Sequence, residues 1–187
     1  MRLVPALLLA CSVVLSAKNS ADPVASMQRK LDYLERNASA RPPDPKPSIF
    51  TEAEINAYIA SENIDLPQGV KSVRLMEQTD VVTGHARVDF DQIKAGQRSM
   101  NPLLAVFSGV HDVLVVAQAH GANGKGFVHV DSVSLDDVEI PHFVLQLFVD
   151  KYLRPKYPGL GIDSQFELPD RIDSAKVGDH TLSVIQK

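Results

Sequence analysis

The sequence contains almost no cysteine: among its 187 residues, Cys11 is the sole example. A chain with one cysteine forms no internal disulfide, which excludes the small secreted scaffolds that depend on several such bonds. Tryptophan is absent and aromatic residues make up 6% of the chain, whereas 44% of the residues are hydrophobic. The core is therefore expected to consist mainly of valine, leucine and isoleucine, which favours a sheet-rich domain.

Clusters of basic residues are also missing, and the formal net charge is −4. Proteins that bind nucleic acids carry a concentrated basic surface, so we exclude nucleic acid as a partner. The residues that remain after the N-terminal signal and tether described below suffice for one domain with a core of its own rather than for two.

Residues 1–17 have the pattern of a secretory signal peptide. Arg2 precedes an apolar run over residues 3–15, which is too short for a stable membrane span, and small residues follow. We therefore predict export to the periplasm, or anchoring on the periplasmic side of a membrane. Two interpretations of Cys11 stay open. Leu8–Cys11 resembles a bacterial lipobox whose cysteine is lipidated, or Cys11 belongs to an ordinary signal that is cleaved near residues 16 and 17.

A helix and a proline-rich segment follow. Residues 18–40 predict an amphipathic helix or tether, because apolar side chains recur every three or four positions at Val24, Met27, Leu31, Leu34 and Ala38. Residues 41–48 contain four prolines and predict a stiff spacer. We expect the apolar stripe to pack on the chain's own domain; the alternative is that residues 24–38 bind a partner protein. Residues 49–187 are predicted to form a single α+β domain.

This domain begins with a helix and continues with strands. Thr51 and Glu54 have the spacing of a capping box, which predicts a short helix at the domain start. Alternating patterns predict strands at 70–78, 82–90, 110–120 and 127–135, and two more at 170–176 and 181–185. Asn123-Gly124 predicts a tight hairpin turn between the two longest of these strands.

One helix is expected to dominate the core. It begins after Pro141, ends before Pro155, and is apolar except for a narrow polar stripe. We expect its apolar side chains to be covered: Phe143, Val144, Leu145, Leu147, Phe148, Val149, Tyr152 and Leu153. The predicted fold is thus α+β, with a curved antiparallel sheet of about five or six strands wrapped around one highly apolar helix.

Patterns of catalytic and metal-binding residues are weak. Ser108, His111 and Asp112 include the residue types of a triad, but they lie on one local turn where nucleophile, base and carboxylate do not align. His129 and Asp131 share a strand face, yet the spacing places no second carboxylate beside them. We therefore predict no catalytic residue, no metal ligand and no cofactor, and a protein that is not an enzyme.

Residues 99–109 are unusually apolar for a connection between strands. Three interpretations stay open: a short helix that closes the end of the sheet, a mobile lip over an apolar cavity, or a loop that dips into a membrane with Lys94 and Arg98 near anionic head groups. Together with the apolar helix and strand 110–120, this segment predicts a site for a hydrophobic ligand that enters beside residues 100–107. The predicted ligand contacts are Leu103, Leu104, Phe107, Leu114, Val116, Phe143, Leu147 and Phe148.

The segments FTEAEINAYIA, LPQGVKSVRL, VVTGHARVDFD and VSLDDVEIPHFVLQLFVDKYL resemble the LmeA-like and other TULIP-like proteins of bacterial envelopes. The resemblance covers Phe50–Tyr157. It implies a lipid held between a wrapped sheet and a long helix, with no catalytic residue. We therefore expect an exported, non-enzymatic lipid-binding protein of the cell envelope. The alternative is an envelope scaffold or protein-interaction module without a small-molecule ligand.

Overall fold

The computed structural model describes residues 22–94 and 101–187. The predicted signal peptide, its Cys11, and Arg98 lie outside these residues. The helices are α1 (Pro23–Ala38), α2 (Glu52–Ile59), α3 (Phe90–Ile93), a 3₁₀ turn (Pro102–Leu104), and α4 (His142–Phe148), which continues as a π-helical turn (Val149–Leu153). The strands are β1 (Ser48–Thr51), β2 (Val70–Gln78), β3 (Val81–Asp89), β4 (Val110–Ala122), β5 (Lys125–Leu135), β6 (Val138–Glu139), β7 (Asp163–Glu167), β8 (Ile172–Gly178) and β9 (Thr181–Gln186).

The α+β class and the antiparallel sheet are confirmed, whereas the predicted count of five or six strands is wrong. Within the described residues, nine strands form one sheet whose main path runs β1-β9-β8-β4-β3-β2, with β5 on the other edge of β4 and β6 and β7 beside β5. The strands that were missed, β1, β6 and β7, have two to five residues each. Strands this short are held by their neighbours and show little alternation of their own.

Strand β4 connects the two halves of the sheet. It pairs with β3 from Val110 to Gln118, and beyond the end of β3 its residues His120 and Gly121 pair with β8. A Cβ atom at Gly121 would lie 2.8 Å from the backbone nitrogen of Ala175. The two backbones therefore approach more closely at this junction than a side chain would allow.

Two hydrophobic cores lie in the two halves. The first lies between the β3–β4–β5 region and α4, and the second joins α1 and α2 to β1, β8 and β9. Leu34 is buried in the second core, and Met27 and Leu31 pack against it. Asn37 and Gln186 are both buried and share a 2.7 Å hydrogen bond there, in which the Asn37 amide donates. The apolar stripe of α1 thus packs on the chain's own domain.

Aromatic rings hold α4 to the first core. The Phe148 ring stacks on Phe107 with a centroid distance of 4.2 Å and meets Phe90 edge-on at 5.4 Å. All three side chains are buried, and Phe107 has only 1% of its surface exposed. Such contacts orient the helix in addition to removing apolar surface from water.

The expected burial of α4 on nearly all sides is wrong at two positions. Phe143 is 60% exposed and Leu147 is 37% exposed. These residues are four apart and share one side of the helix, next to the exposed Asp150 and Lys151. That side has no layer of described residues packed over it, so the exposed strip is wider than the predicted polar stripe.

The carboxylate of Glu54 links α1 to α2. Burial opposes its ionisation, but hydrogen bonds from Lys30, Ser26 and Thr51 outweigh that effect and lower the pKa of Glu54 from its ordinary 4.5 to about 2. The Lys30 ammonium lies 2.6 Å from the Glu54 carboxylate. A capping box with Thr51 is confirmed, since the Thr51 side chain accepts from the Glu54 amide and Glu54 accepts from the Thr51 amide.

We predict that Glu54→Gln lowers the free energy of unfolding by about 1–3 kcal/mol at pH 7, because Lys30 loses a charged partner. A lowered pKa contributes stability above pH 4.5, and this contribution is lost as the pH falls towards 2. The difference in unfolding free energy between the variant and the native protein should therefore be smaller at pH 3 than at pH 7, as measured by urea unfolding. Glu35→Gln, at an exposed position of α1, is the control and should change little at either pH. A gap that is equal at both pH values would contradict the prediction.

We also predict that Phe148→Ala costs about 3–5 kcal/mol of unfolding free energy, because a buried aromatic ring leaves a cavity. Phe143→Ala, on the exposed side of the same helix, should cost less than about 1 kcal/mol. Urea unfolding of both variants measures the difference. Equal losses would show that α4 is not oriented by the ring cluster.

Candidate functional site

A cavity of about 790 Å³ lies against the sheet face that carries the first core. Cavities that hold small molecules commonly have volumes of about 300–1,000 Å³ and are mostly apolar. Most of its lining comes from β3, β4, β5, α4 with its π-helical turn, and the segment 156–162, and β2, α3, Phe107 and β7 add the remainder. Apolar side chains make up nearly all of that lining.

Strand β4 contributes Val113 and Val115 to the cavity. The predicted contacts Leu114 and Val116 alternate with them and so lie on the opposite face of the sheet. Leu114 instead borders a smaller pocket that also includes His85 and Arg87. The sequence is apolar on both faces of β4, so it did not reveal which face lies towards the cavity.

A bulge in the β4–β5 pairing makes the second wall. The register shifts between Val116 and Ala117, so that Val116 pairs with Ser132 while Ala117 pairs with Val130. Because of this shift, side chains on both sides of the bulge line the cavity, namely Val128, Val130, Val133 and Leu135. Without the bulge, strict alternation along β5 would place Val128 and Val130 on the face opposite Val133 and Leu135.

Aromatic rings line the inner part of the cavity. Phe90, Phe107 and Phe148 all contribute, and all are buried. Of the eight predicted ligand contacts, Phe107 and Phe148 are the two that line this cavity. Leu104 is 4% exposed and belongs to the first core.

Three other predicted contacts lie on the surface. Leu103 is 46% exposed, and Phe143 and Leu147 are exposed on the outer side of α4. The segment that begins at Pro102 forms a 3₁₀ turn with Leu104 and Phe107 inserted into the core. The described part of residues 99–109 therefore corresponds to the interpretation as a short helix that closes the end of the sheet.

The cavity opens at a different place from the one predicted. Its exposed lining residues are residues 156–160 and Phe166, of which Tyr157, Leu160 and Phe166 are 42–50% exposed. These residues follow α4 in the sequence. Among residues 101–107, Phe107 alone contributes to the lining. The sequence signal that could have located this opening is the apolar, glycine-containing segment YPGLG directly after Lys156.

The titratable clusters lie away from the cavity. The His111 imidazole bonds Asp136 at 2.6 Å through Nδ1 and the Ser108 carbonyl at 2.7 Å through Nε2, and the bond to Asp136 raises the pKa of His111. The Ser108 hydroxyl donates to the Ala105 carbonyl instead. Serine and histidine side chains are therefore not arranged as nucleophile and base.

His129 is likewise held in an ion pair rather than in a ligand cluster. Its Nδ1 lies 2.6 Å from Asp163, and its Nε2 lies 3.8 Å from Asp131. Within residues 22–94 and 101–187, no three His, Cys, Asp or Glu side chains are placed to hold a metal ion. In the same ranges, none of the helices combines the length and the apolar character that crossing a bilayer requires.

Comparisons with known proteins give no further assignment. No protein-family model matches the chain, and neither the curated proteins nor the solved structures contain a significant match. The site is therefore interpreted from its own geometry.

Proposed function

We propose that the protein binds a lipid or another long hydrophobic ligand in the cavity between the sheet and α4, and performs no chemistry on it. The observation that carries this proposal is a cavity of about 790 Å³ with a nearly continuous apolar lining. A protein interior normally packs to a density that leaves few voids larger than a water molecule. A space of this size and polarity is suited to a guest that is itself apolar.

In this proposal the sheet curves around the α4 segment, and the ligand takes the part of the concave face that the helix leaves uncovered. The walls differ in character. Valines on β4 and β5 form the sheet side, while Leu145, Val149 and Leu153 form the helix side. Affinity would come from apolar area removed from water, at about 25 cal/mol per Å² before the costs of association.

The polarity of the lining supports a carrier rather than an enzyme. Within residues 22–94 and 101–187, the ionisable side chains that line the cavity are Lys156 and Tyr157, and both are exposed. Acid–base chemistry needs a donor and an acceptor within hydrogen-bond reach of a reacting group. The inner part of the cavity offers only valine, leucine, isoleucine and phenylalanine side chains.

The proposed location is the bacterial cell envelope, and it rests on the signal pattern of residues 1–17. A hydrophobic ligand must cross an aqueous compartment there, which gives a shielded cavity a purpose. The alternative of a scaffold that docks a partner through residues 24–38 has less support. The apolar stripe of α1 packs into the second core and is not free to bind another protein.

A matched pair of substitutions tests the proposal. Val115→Trp fills the cavity from the sheet side, whereas Val116→Trp places the same ring on the opposite face one residue away. We expect native mass spectrometry of gently purified protein to show bound lipid in the native chain and in Val116→Trp, and a loss of at least tenfold in occupancy in Val115→Trp.

Both variants must first show native circular dichroism and cooperative unfolding. Two results would count against a lipid carrier: ligand-free mass alone in the native chain after lipid is supplied, or equal occupancy in the two variants. The first would show that the cavity holds no lipid, and the second that any bound lipid lies elsewhere.

A further inference from the structure

The cavity has one polar end. Its inner lining consists of aromatic and aliphatic side chains, whereas the opening carries Lys156 beside Tyr157 and Ser164. Among the described residues that line the cavity, Lys156 is the one charged residue. A ligand that fills the cavity therefore meets apolar groups along its length and a cation where it emerges.

Lys156 is positioned by the chain and retains donors for a ligand. Its ammonium donates to the backbone carbonyl of Ile93 at 3.1 Å, and Ile93 also lines the cavity. A lysine ammonium has three N–H donors, so this bond leaves two for other acceptors. The bond fixes the ammonium at the edge of the opening.

A second cation lies close by. A Cβ atom built on Gly161, which lines the cavity, would lie 3.5 Å from Nη2 of Arg154. The Nη1 atom of the same guanidinium pairs with Asp150 at 2.6 Å. The guanidinium therefore lies beside the cavity lining at Gly161, and its Nη2 atom is on the side nearer that residue while Asp150 offsets part of its charge.

The volume of the cavity suits a single chain. The volume of about 790 Å³ lies within the range of about 300–1,000 Å³ that is common for sites of one drug-sized ligand. A single acyl chain is a ligand of that size class.

We propose that the cavity takes a single-chain amphiphile whose anionic end, a carboxylate or a phosphate, is bound by Lys156 at the opening. This inference rests on the proposed function, since it names the class of ligand for the same cavity. The chain lies along the valines of β4 and β5, and the head group stays in water beside Lys156 and Arg154. Charge-assisted hydrogen bonds then select an anionic ligand over a neutral one of equal length.

Dye displacement tests the inference on the purified protein. The reporter is N-phenyl-1-naphthylamine, an uncharged dye that fluoresces in apolar surroundings, and the competitors are oleate, oleoyl lysophosphatidate and neutral monoolein. In the native chain, both anions should displace the dye at about tenfold lower concentration than monoolein. The variant Lys156→Met should lose this preference, so that the anions displace the dye at no lower concentration than monoolein does. The control Lys176→Met, at an exposed position of β8, should behave as the native chain does.

The outcomes distinguish a failure of the proposed function from a failure of the head-group assignment. Absence of dye and competitor binding in the native chain would overturn the proposed function, and this inference with it. Dye binding without a preference for either anion would overturn the head-group assignment alone, as would an equal loss in Lys156→Met and Lys176→Met. Preference for oleate over the lysophosphatidate identifies a carboxylate as the anionic end, and the reverse order identifies a phosphate.

Discussion

A difference in length between one helix and one hairpin governs this structure. The helical segment has seven residues in α4 and five in its π-helical turn, and so extends over about 18 Å. Strand β4 has 13 residues and extends over about 43 Å. Pro155 follows two residues after the helical segment and has no N–H with which to continue it. The apolar face of the β4–β5 hairpin therefore extends beyond its covering helix, and the segment 156–162 borders the uncovered part.

Local patterns in the sequence predicted the regular elements well. The bounds of β2 agree with the alternation at 70–78, and Asn123 and Gly124 have the positive φ values of 53° and 76° that a tight hairpin turn requires. The short strands were missed for a physical reason. In β7, four of the five residues are polar, and the strand is held in place by pairing with β5. A segment with that composition shows no alternation of apolar and polar residues, so its sequence does not indicate a strand.

The site was less predictable than the fold, because it depends on which face of each strand is buried. On β4 both Leu114 and Val115 are apolar, and only the position of α4 makes the Val115 side the inner one. On β5 the bulge changes which alternate residues face the cavity. A bulge arises from pairing between strands rather than from composition. Phe107 and Phe148 were found among the predicted aromatic contacts, whereas Phe143 on the same helix as Phe148 is 60% exposed, so aromatic character alone did not identify the lining.

The choice of side chains explains why this space does not close by simple collapse. Valines dominate the β4 and β5 walls, and a valine on a paired strand is stiff and short. Such walls could approach α4 only if the sheet bent, which would disturb the pairing of β4 with β3, β5 and β8 at once. In the proposed function, a guest chain would restore the missing contacts at no cost to that pairing. Because a ligand that binds only the folded state stabilises it, by about 2.7 kcal/mol at 100 times its Kd, occupancy by the proposed ligand would raise the stability of the fold.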